Sequence, residues 1–305
     1  MHGRHLISMA DFSVEEVAHV IAVAQRLKRR DHGPLAQGKR QALLFDKPSL
    51  RTKGSFDSAM HELGGHTIYF GRDEVGLGQR EPAKDVARVL SRYVDVITVR
   101  TFAHETVEEL ARYSGVPVVN ALTDQEHPCQ ALADVLTIRE HFGRTAGLRL
   151  AYVGDGNNVA ASLAVAAASL GMHFVIAGPP GYAVAEGPWV EAERRAAASG
   201  GSLRRVREPA DAVGGADIIY TDVWVSMGQD AERERRLRDF AGYTVDGALA
   251  ALAPEARIMH DMPAHRGEEI TDEVIESSRS LVFDQAENRL HAQKAVLALA
   301  LGLVP

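Results

Sequence analysis

Short apolar runs alternate with stretches of helical periodicity through both halves of the chain, and this alternation restricts the fold more than any other feature. Strands separated by helices pair in parallel, and a parallel sheet needs helices on both faces. In the first half the strand candidates are Ala42-Leu43-Leu44, His66 to Phe70, Val94 to Val99 and Val116 to Val119, with Pro117 tolerable because it stands at its strand's start. Helical patterns fall between them, one ending near Leu63 at Gly64-Gly65, one from Pro82 through Leu90 and one from Glu105 to Tyr113. An earlier helix is announced by the capping box Ser13-Val14-Glu15-Glu16, with Phe12 and Val17 placed as a hydrophobic staple. In the second half the strand candidates are Arg149 to Val153, His173 to Ala177, Asp217 to Thr221 and Arg257 to His260, and the clearest helices are Asn158 to Leu170 and Pro188 to Ala198.

Pro128 to His141 reads as a longer helix carrying the chain from one set of elements to the other. The expected architecture is therefore α/β, with two doubly wound domains, each a parallel sheet flanked by helices. They are joined by this interdomain helix and by a C-terminal return helix, Ala286 to Leu303. The expected domains are residues 1–140, with 286–305 packing back on them, and residues 141–285.

Composition narrows the function. A chain of 305 residues with 46% hydrophobic composition can bury a sizeable core, and a net charge of -7 argues against a general nucleic-acid binder. Its single cysteine, Cys129, excludes an intramolecular disulfide. The N-terminus leads into no long apolar run, and no segment has the length a membrane helix needs, so the expected location is cytoplasmic without membrane attachment. No metal-ligand cluster or cofactor motif stands out, and none is expected.

Functional groups in doubly wound sheets gather where strands end at their carboxyl edge. Phe45 to Phe56 follows the first strand and opens a helix; its helix-start N–H groups, Ser49, Thr52, Arg51 and Lys53 together offer a seat for an anion. It lacks the P-loop spacing, and alone it fits a capped helix with solvated basic residues as well. Arg100 ends another strand, where a surface arginine is common. His127-Pro128-Cys129-Gln130 starts the long helix, where the histidine could be a local cap. Gly154-Asp155-Gly156-Asn157-Asn158-Val159 invites a dinucleotide reading, but a third small residue is missing and no acidic residue clearly closes the second strand, so a polar small molecule suits it better. Asp222 beside Ser226-Met227-Gly228 also fits simple Asx-turn chemistry, and Glu287 to Lys294 an ordinary charged helix start.

Taken together these stretches resemble the aspartate/ornithine carbamoyltransferase family. Ser49-Leu50-Arg51-Thr52 resembles its Ser-x-Arg-Thr carbamoyl-phosphate loop, His127-Pro128-Cys129-Gln130 its His-Pro-x-Gln hallmark, and Glu287-Asn288-Arg289-Leu290-His291 its Glu-Asn-Arg-x-His block. Asp222 with Ser226-Met227-Gly228 is similar to the Asp-x-x-x-Ser-Met-Gly loop of the ornithine branch, which aspartate carbamoyltransferases lack. His260-Asp261-Met262-Pro263 resembles His-Cys-Leu-Pro, with Asp261 in place of the cysteine and Met262 in place of the leucine; Lys53 stands where many members have a second arginine.

The resemblance implies carbamoyl transfer from carbamoyl phosphate to the δ-amino group of L-ornithine, giving citrulline and phosphate, most simply in arginine biosynthesis. It implies that residues 1–140 bind carbamoyl phosphate through Ser49, Leu50, Arg51, Thr52, Arg100, His127, Gln130, Asp261, Met262 and Arg289. Of these Arg51, Arg100, His127, Asp261 and Arg289 would be catalytic. Residues 141–285 would bind ornithine through Asn158, Asp222, Ser226 and Met227. No cofactor is implied, and a homotrimer or multiple of trimers is. The rivals are a transcarbamylase for putrescine or an acylated ornithine, and a silent relative that only binds carbamoyl phosphate or a partner.

Overall fold

The computed structural model describes residues 1–29, 32–78, 80–226 and 228–304. It contains two parallel sheets flanked by helices, as the alternation requires. The chain divides into two compact units, one made of Met1–Leu136 with Glu287–Pro305 and the other of Thr137–Ala286. Among the described residues no helix is long and apolar enough to cross a membrane.

In the first unit β1 (Arg40–Phe45), β2 (His66–Gly71), β3 (Val96–Arg100) and β4 (Val118–Leu122) lie in the order β2-β1-β3-β4, all parallel. Central strands are covered on both faces, and β1 and β3 accordingly read as nearly continuous apolar runs. Ala42, Leu44, Ile97, Val99 and Val118 from the sheet pack with Val86, Leu90, Val107 and Leu110 from the covering helices. The chain leaves β1 toward β2 and returns past it to β3, so the order reverses between β1 and β3. Phe45 pairs with Arg100 at their carboxyl ends, and the loops that follow open at the crevice such a reversal leaves. The Ser13 capping box closes as expected: Ser13 Oγ accepts from the Glu16 N–H at 3.2 Å, and a Glu16 carboxylate oxygen accepts from the Ser13 N–H at 2.9 Å.

The second unit holds β5 (Arg149–Val153), β6 (His173–Ala177), β7 (Ser202–Val206), β8 (Ile218–Thr221) and β9 (Arg257–His260) in the order β7-β6-β5-β8-β9. Here the reversal falls between β5 and β8, where Val153 pairs with Thr221. The expected set for this half was four strands; β7 is a fifth. Its sequence, Ser-Leu-Arg-Arg-Val, has neither an apolar run nor clean alternation; as an edge strand it pairs with β6, and its Val206 packs on the core cluster. Charged side chains on such an edge also blunt it against pairing with other chains.

Two further boundaries differ from expectation. The last helix runs Val282–Ala300, so Glu287 to Lys294 lies beyond its first turn instead of opening it. The helix expected from Pro188 begins at Glu186, because proline is tolerated within a first turn, where its missing N–H would have no partner.

Gly156 shows how tightly the turn after β5 is built. A Cβ there would lie 2.1 Å from the Val184 nitrogen and 2.4 Å from the Ala183 carbonyl carbon, both backbone. Gly156→Ala is therefore expected to lower unfolding stability by about 1–3 kcal/mol, the usual cost of forced overpacking, as measured by urea denaturation.

Candidate active site

The helix Leu50–Glu62 starts at the end of β1 with Ser49 as N-cap, whose Oγ accepts from the Thr52 N–H at 3.1 Å. The first N–H groups of a helix have no intrahelical acceptor, and they form the positive end of the helix dipole. Thr52 is fully buried, and two guanidinium groups converge on its hydroxyl. Arg100 Nη1, at the end of β3, donates to Thr52 Oγ1 at 3.1 Å, and Arg289 Nη2, from the last helix, donates at 2.6 Å. A hydroxyl accepts two hydrogen bonds and donates one, so both acceptor positions of Thr52 are taken. Its hydrogen has no acceptor among the described residues and remains available to a ligand oxygen.

His127 is buried at the start of the Pro128–Phe142 helix. Burial, and then the charges of Arg289, Arg100 and Lys47, hold its imidazole well below the usual histidine range, so it is neutral at pH 7 and offers one N–H. Gln130 Nε2 donates to Asp134 Oδ1 at 2.8 Å, while its buried Oε1 has no hydrogen-bond partner among the described residues. Lys47 is buried too, ion-paired with Asp124 and 4.1 Å from the centre of the Phe102 ring. The expected residues Ser49, Thr52, Arg100, His127, Gln130 and Arg289 thus belong to one unit, and Lys47 and Asp134 stand beside them without any motif to announce them. Arg51 is half-buried; Leu50 is 84% exposed, so it has only its backbone to contribute. Lys53 is exposed and sits 3.4 Å from the centre of the Tyr69 ring. Cys129 is inert: burial pushes its thiol up to about 12. Convergent cations, a helix start and a neutral imidazole can together hold a phosphate and polarise a carbonyl oxygen.

The second unit presents carboxylates instead. Asp222 follows β8 and is buried. Asn157 is the N-cap of the Asn158–Ser169 helix: its Oδ1 accepts from the N–H groups of Val159 and Ala160 at 3.0 and 3.1 Å, and its Nδ2 donates to Asp222 Oδ2 at 2.8 Å. Asn158 is half-buried, with its Oδ1 3.0 Å from the Val159 nitrogen. Burial first, and then the charge of Asp261, raise the Asp222 carboxyl to about 7, against the bond from Asn157 and the His260 ring. Asp261 and Ser226 are half-buried; the Ser226 N–H donates to Gln229 Oε1 at 2.9 Å. Met227 lies outside the described residues.

His260, at the end of β9, is fixed on both ring nitrogens. Its Nδ1 accepts from the Met262 N–H at 2.8 Å, which requires that nitrogen to be unprotonated, so Nε2 carries the hydrogen and donates to Glu269 Oε1 at 3.1 Å. Met262 is held in the left-handed region at φ 66°, a conformation costing a non-glycine residue about 1–2 kcal/mol. Residues held in this way cluster where a backbone group has to be aimed. Arg236 ties the loop after β8 down, donating to Asp155 Oδ2 at 2.7 Å and to the Trp224 carbonyl at 2.9 Å.

Comparison with known proteins identifies the family. Residues 4–140 match the aspartate/ornithine carbamoyltransferase carbamoyl-P binding domain, and residues 146–300 match the Asp/Orn binding domain of the same family. The chain is 53% identical to the ornithine carbamoyltransferase of Methanopyrus kandleri over 304 residues, 98% of this chain and 97% of that one. It is 50% identical to the anabolic ornithine carbamoyltransferase of Pyrococcus furiosus over 306 residues, 98% of this chain and 97% of that one. The solved structure of the ornithine carbamoyltransferase from Pyrococcus furiosus superposes with a TM-score of 0.96 at 48% identity, covering 100% of this chain and 99% of that one. Two matched domains across nearly the full length, on sheets whose crevices carry donors in one unit and carboxylates in the other, lead to one conclusion: the chain belongs to the aspartate/ornithine carbamoyltransferase family.

Proposed function

We propose that the protein transfers the carbamoyl group of carbamoyl phosphate to the δ-amino group of L-ornithine, giving L-citrulline and phosphate, in the biosynthetic direction. The observation that carries this reading is the Thr52 hydroxyl, held by Arg100 and Arg289 so that its hydrogen is free to donate. Negative charge grows on the carbonyl oxygen of carbamoyl phosphate as the amine attacks, and donors fixed beforehand favour that state over the ground state. Thr52, Arg289 and the N–H of neutral His127 receive that oxygen. The phosphate sits on the helix start at Ser49, Leu50 and Thr52 and on Arg51 and Arg100. Gln130, through its free Oε1, and the Met262 carbonyl take the carbamoyl nitrogen.

Asp222 receives the α-ammonium of ornithine, with Asn158, Ser226 and Met227 completing that end of the amino acid. Asp222 and Asp261 repel each other, and a diamine with two positive ends relieves both. Putrescine lacks the α-carboxylate, and an acylated ornithine lacks the α-ammonium that Asp222 would pair with. By likeness to the family the protein works in the cytoplasm as a homotrimer or a multiple of one. A citrulline assay offering ornithine, putrescine and N-acetylornithine tests the proposal: turnover should be fastest with ornithine by at least about 100-fold, the discrimination a buried charge pair supports. Preference for another amine, or no turnover at all, overturns it.

Two substitutions test the assignments around phosphate and δ-nitrogen. Arg51→Ala is expected to leave the fold intact and lower kcat by about 10²–10³, as the loss of one charge-stabilising donor does. Near-normal turnover would remove the loop from the site. Asp261 is assigned to contact the δ-nitrogen and help take its proton, since the free amine is largely protonated at pH 7 with a pKa of about 10.4. Asp261→Asn should then lower turnover and shift its pH profile, while Asp261→Cys should alter the profile differently. Unchanged profiles in both variants would leave Asp261 a bystander.

A further inference from the structure

We propose that His265, Glu268 and Glu269 form a binding site for one divalent transition-metal ion of the Zn2+ class. The three residues follow β9 in a tight turn. The Glu268 N–H donates to the His265 carbonyl at 2.9 Å, and Gly267, at φ 92°, donates to the Ile270 carbonyl at 2.8 Å, which folds the two glutamates back onto the histidine ring. His265 Nδ1 lies 3.7 Å from Glu268 Oε2 and 3.9 Å from Glu269 Oε2, and the three atoms all lie within 4.8 Å of one another.

Each of these atoms is buried and lacks a hydrogen-bond partner among the described residues. Glu269 is the most telling, because its side chain is 0% exposed. A buried carboxylate oxygen without a donor carries an uncompensated desolvation cost, and the imidazole nitrogen stands too far away to be that donor. The other oxygen of each carboxylate is already engaged. Glu269 Oε1 accepts from His260 Nε2 at 3.1 Å and from the His265 N–H at 2.5 Å, and Glu268 Oε1 is ion-paired with Arg233. These bonds orient the carboxylates so that the remaining oxygens point at the ring. Arg266, the other cation of the turn, is drawn away to Asp272 and Glu276.

Donors about 2.0–2.2 Å from a tetrahedral ion stand about 3.3–3.6 Å from one another, so the two histidine–carboxylate separations need to close by only a few tenths of an ångström and the carboxylate pair by about 1 Å at most, which a turn of the partly exposed Glu268 supplies. One imidazole and two carboxylates suit Zn2+ or Co2+. The set contains no thiolate for a soft ion and too few oxygens for the six to eight that Ca2+ takes. Three protein ligands leave a fourth position to water. Because Glu269 also holds His260, an ion here would brace the turn carrying Asp261 and Met262.

The test uses the full-length chain, stripped of metal, with Co2+ titrated by visible absorption and Zn2+ by calorimetry. One ion per chain is expected, with a Co2+ spectrum that Zn2+ abolishes and a Tm that Zn2+ raises. Glu268→Gln and His265→Gln replace partly exposed side chains with close isosteres, and circular dichroism verifies that they fold. Each should weaken Zn2+ by at least about tenfold, the loss that even an outer hydrogen-bond partner of a metal ligand causes, and should remove the rise in Tm. The absence of saturable binding, or binding that survives both substitutions, overturns the site.

Discussion

Thr52→Val is expected to lower kcat/KM by about 10²–10³ while leaving the fold in place. Valine matches threonine in shape, so the packing around this fully buried position is kept. What is lost is the one oxygen on which Arg100 and Arg289 meet, together with the hydrogen proposed above to reach the reacting carbonyl. Removing one preorganised donor to a developing oxyanion costs about 2.7–4 kcal/mol, and here two guanidinium groups lose their anchor as well. Thr52→Ser retains the oxygen and should keep most of the activity. Steady-state kinetics with both variants separates this from a general packing defect: if serine is as poor as valine, the methyl matters and the hydroxyl does not.

The fold was legible because parallel sheets have a strong pattern. Ala42-Leu43-Leu44 and Leu150 to Val153 are apolar on both faces, and the glycines and prolines between elements mark the turns. Strand β7 was not legible, since an edge strand gains its place from pairing and needs no apolar run. Neither was the start of the last helix, where Val282 and Phe283 precede the motif that first draws notice. In the site, individual residues stood out through motif resemblance, while their supports did not. Lys47, Asp134 and Asn157 act on His127, Gln130 and Asp222 through space, and only a folded chain brings such partners within reach. Asn157 did leave one trace, since asparagine before a run such as Val159 to Leu163 is a common helix cap. The left-handed backbone of Met262 left none, because the conformation is imposed by its surroundings against the residue's own preference.

Asp222→Asn is expected to raise the KM for ornithine by about 10²-fold with little change for carbamoyl phosphate, since a hydrogen bond to a charged partner is worth about 1.5–3 kcal/mol. Asp222 also sets a pH dependence whose sign follows from its raised pKa. Its folded value of about 7 lies above the 3.8 of an unperturbed carboxyl, so the buried ionised form is disfavoured. Stability is therefore lost as pH rises from the ordinary carboxylate range through about 7, and the asparagine variant, which never ionises, should be the more stable protein at pH 8. An α-ammonium pairs with the ionised form, so binding moves the other way and strengthens with pH. L-Norvaline isolates this effect, because it keeps the α-ammonium and carries only a hydrogen where ornithine has its δ-amine. Its affinity should fall by about tenfold between pH 8 and pH 6 in the unmodified protein, one proton being taken up per carboxylate, and should stay flat in Asp222→Asn. Calorimetry at the two pH values decides the matter, and parallel profiles in both proteins would show that the α-amino end is held by something other than Asp222. On the proposed assignment, a carboxylate that destabilises the free chain and is neutralised by its ligand spends folding stability on specificity, a trade that favours a buried acid where an amide would fold better.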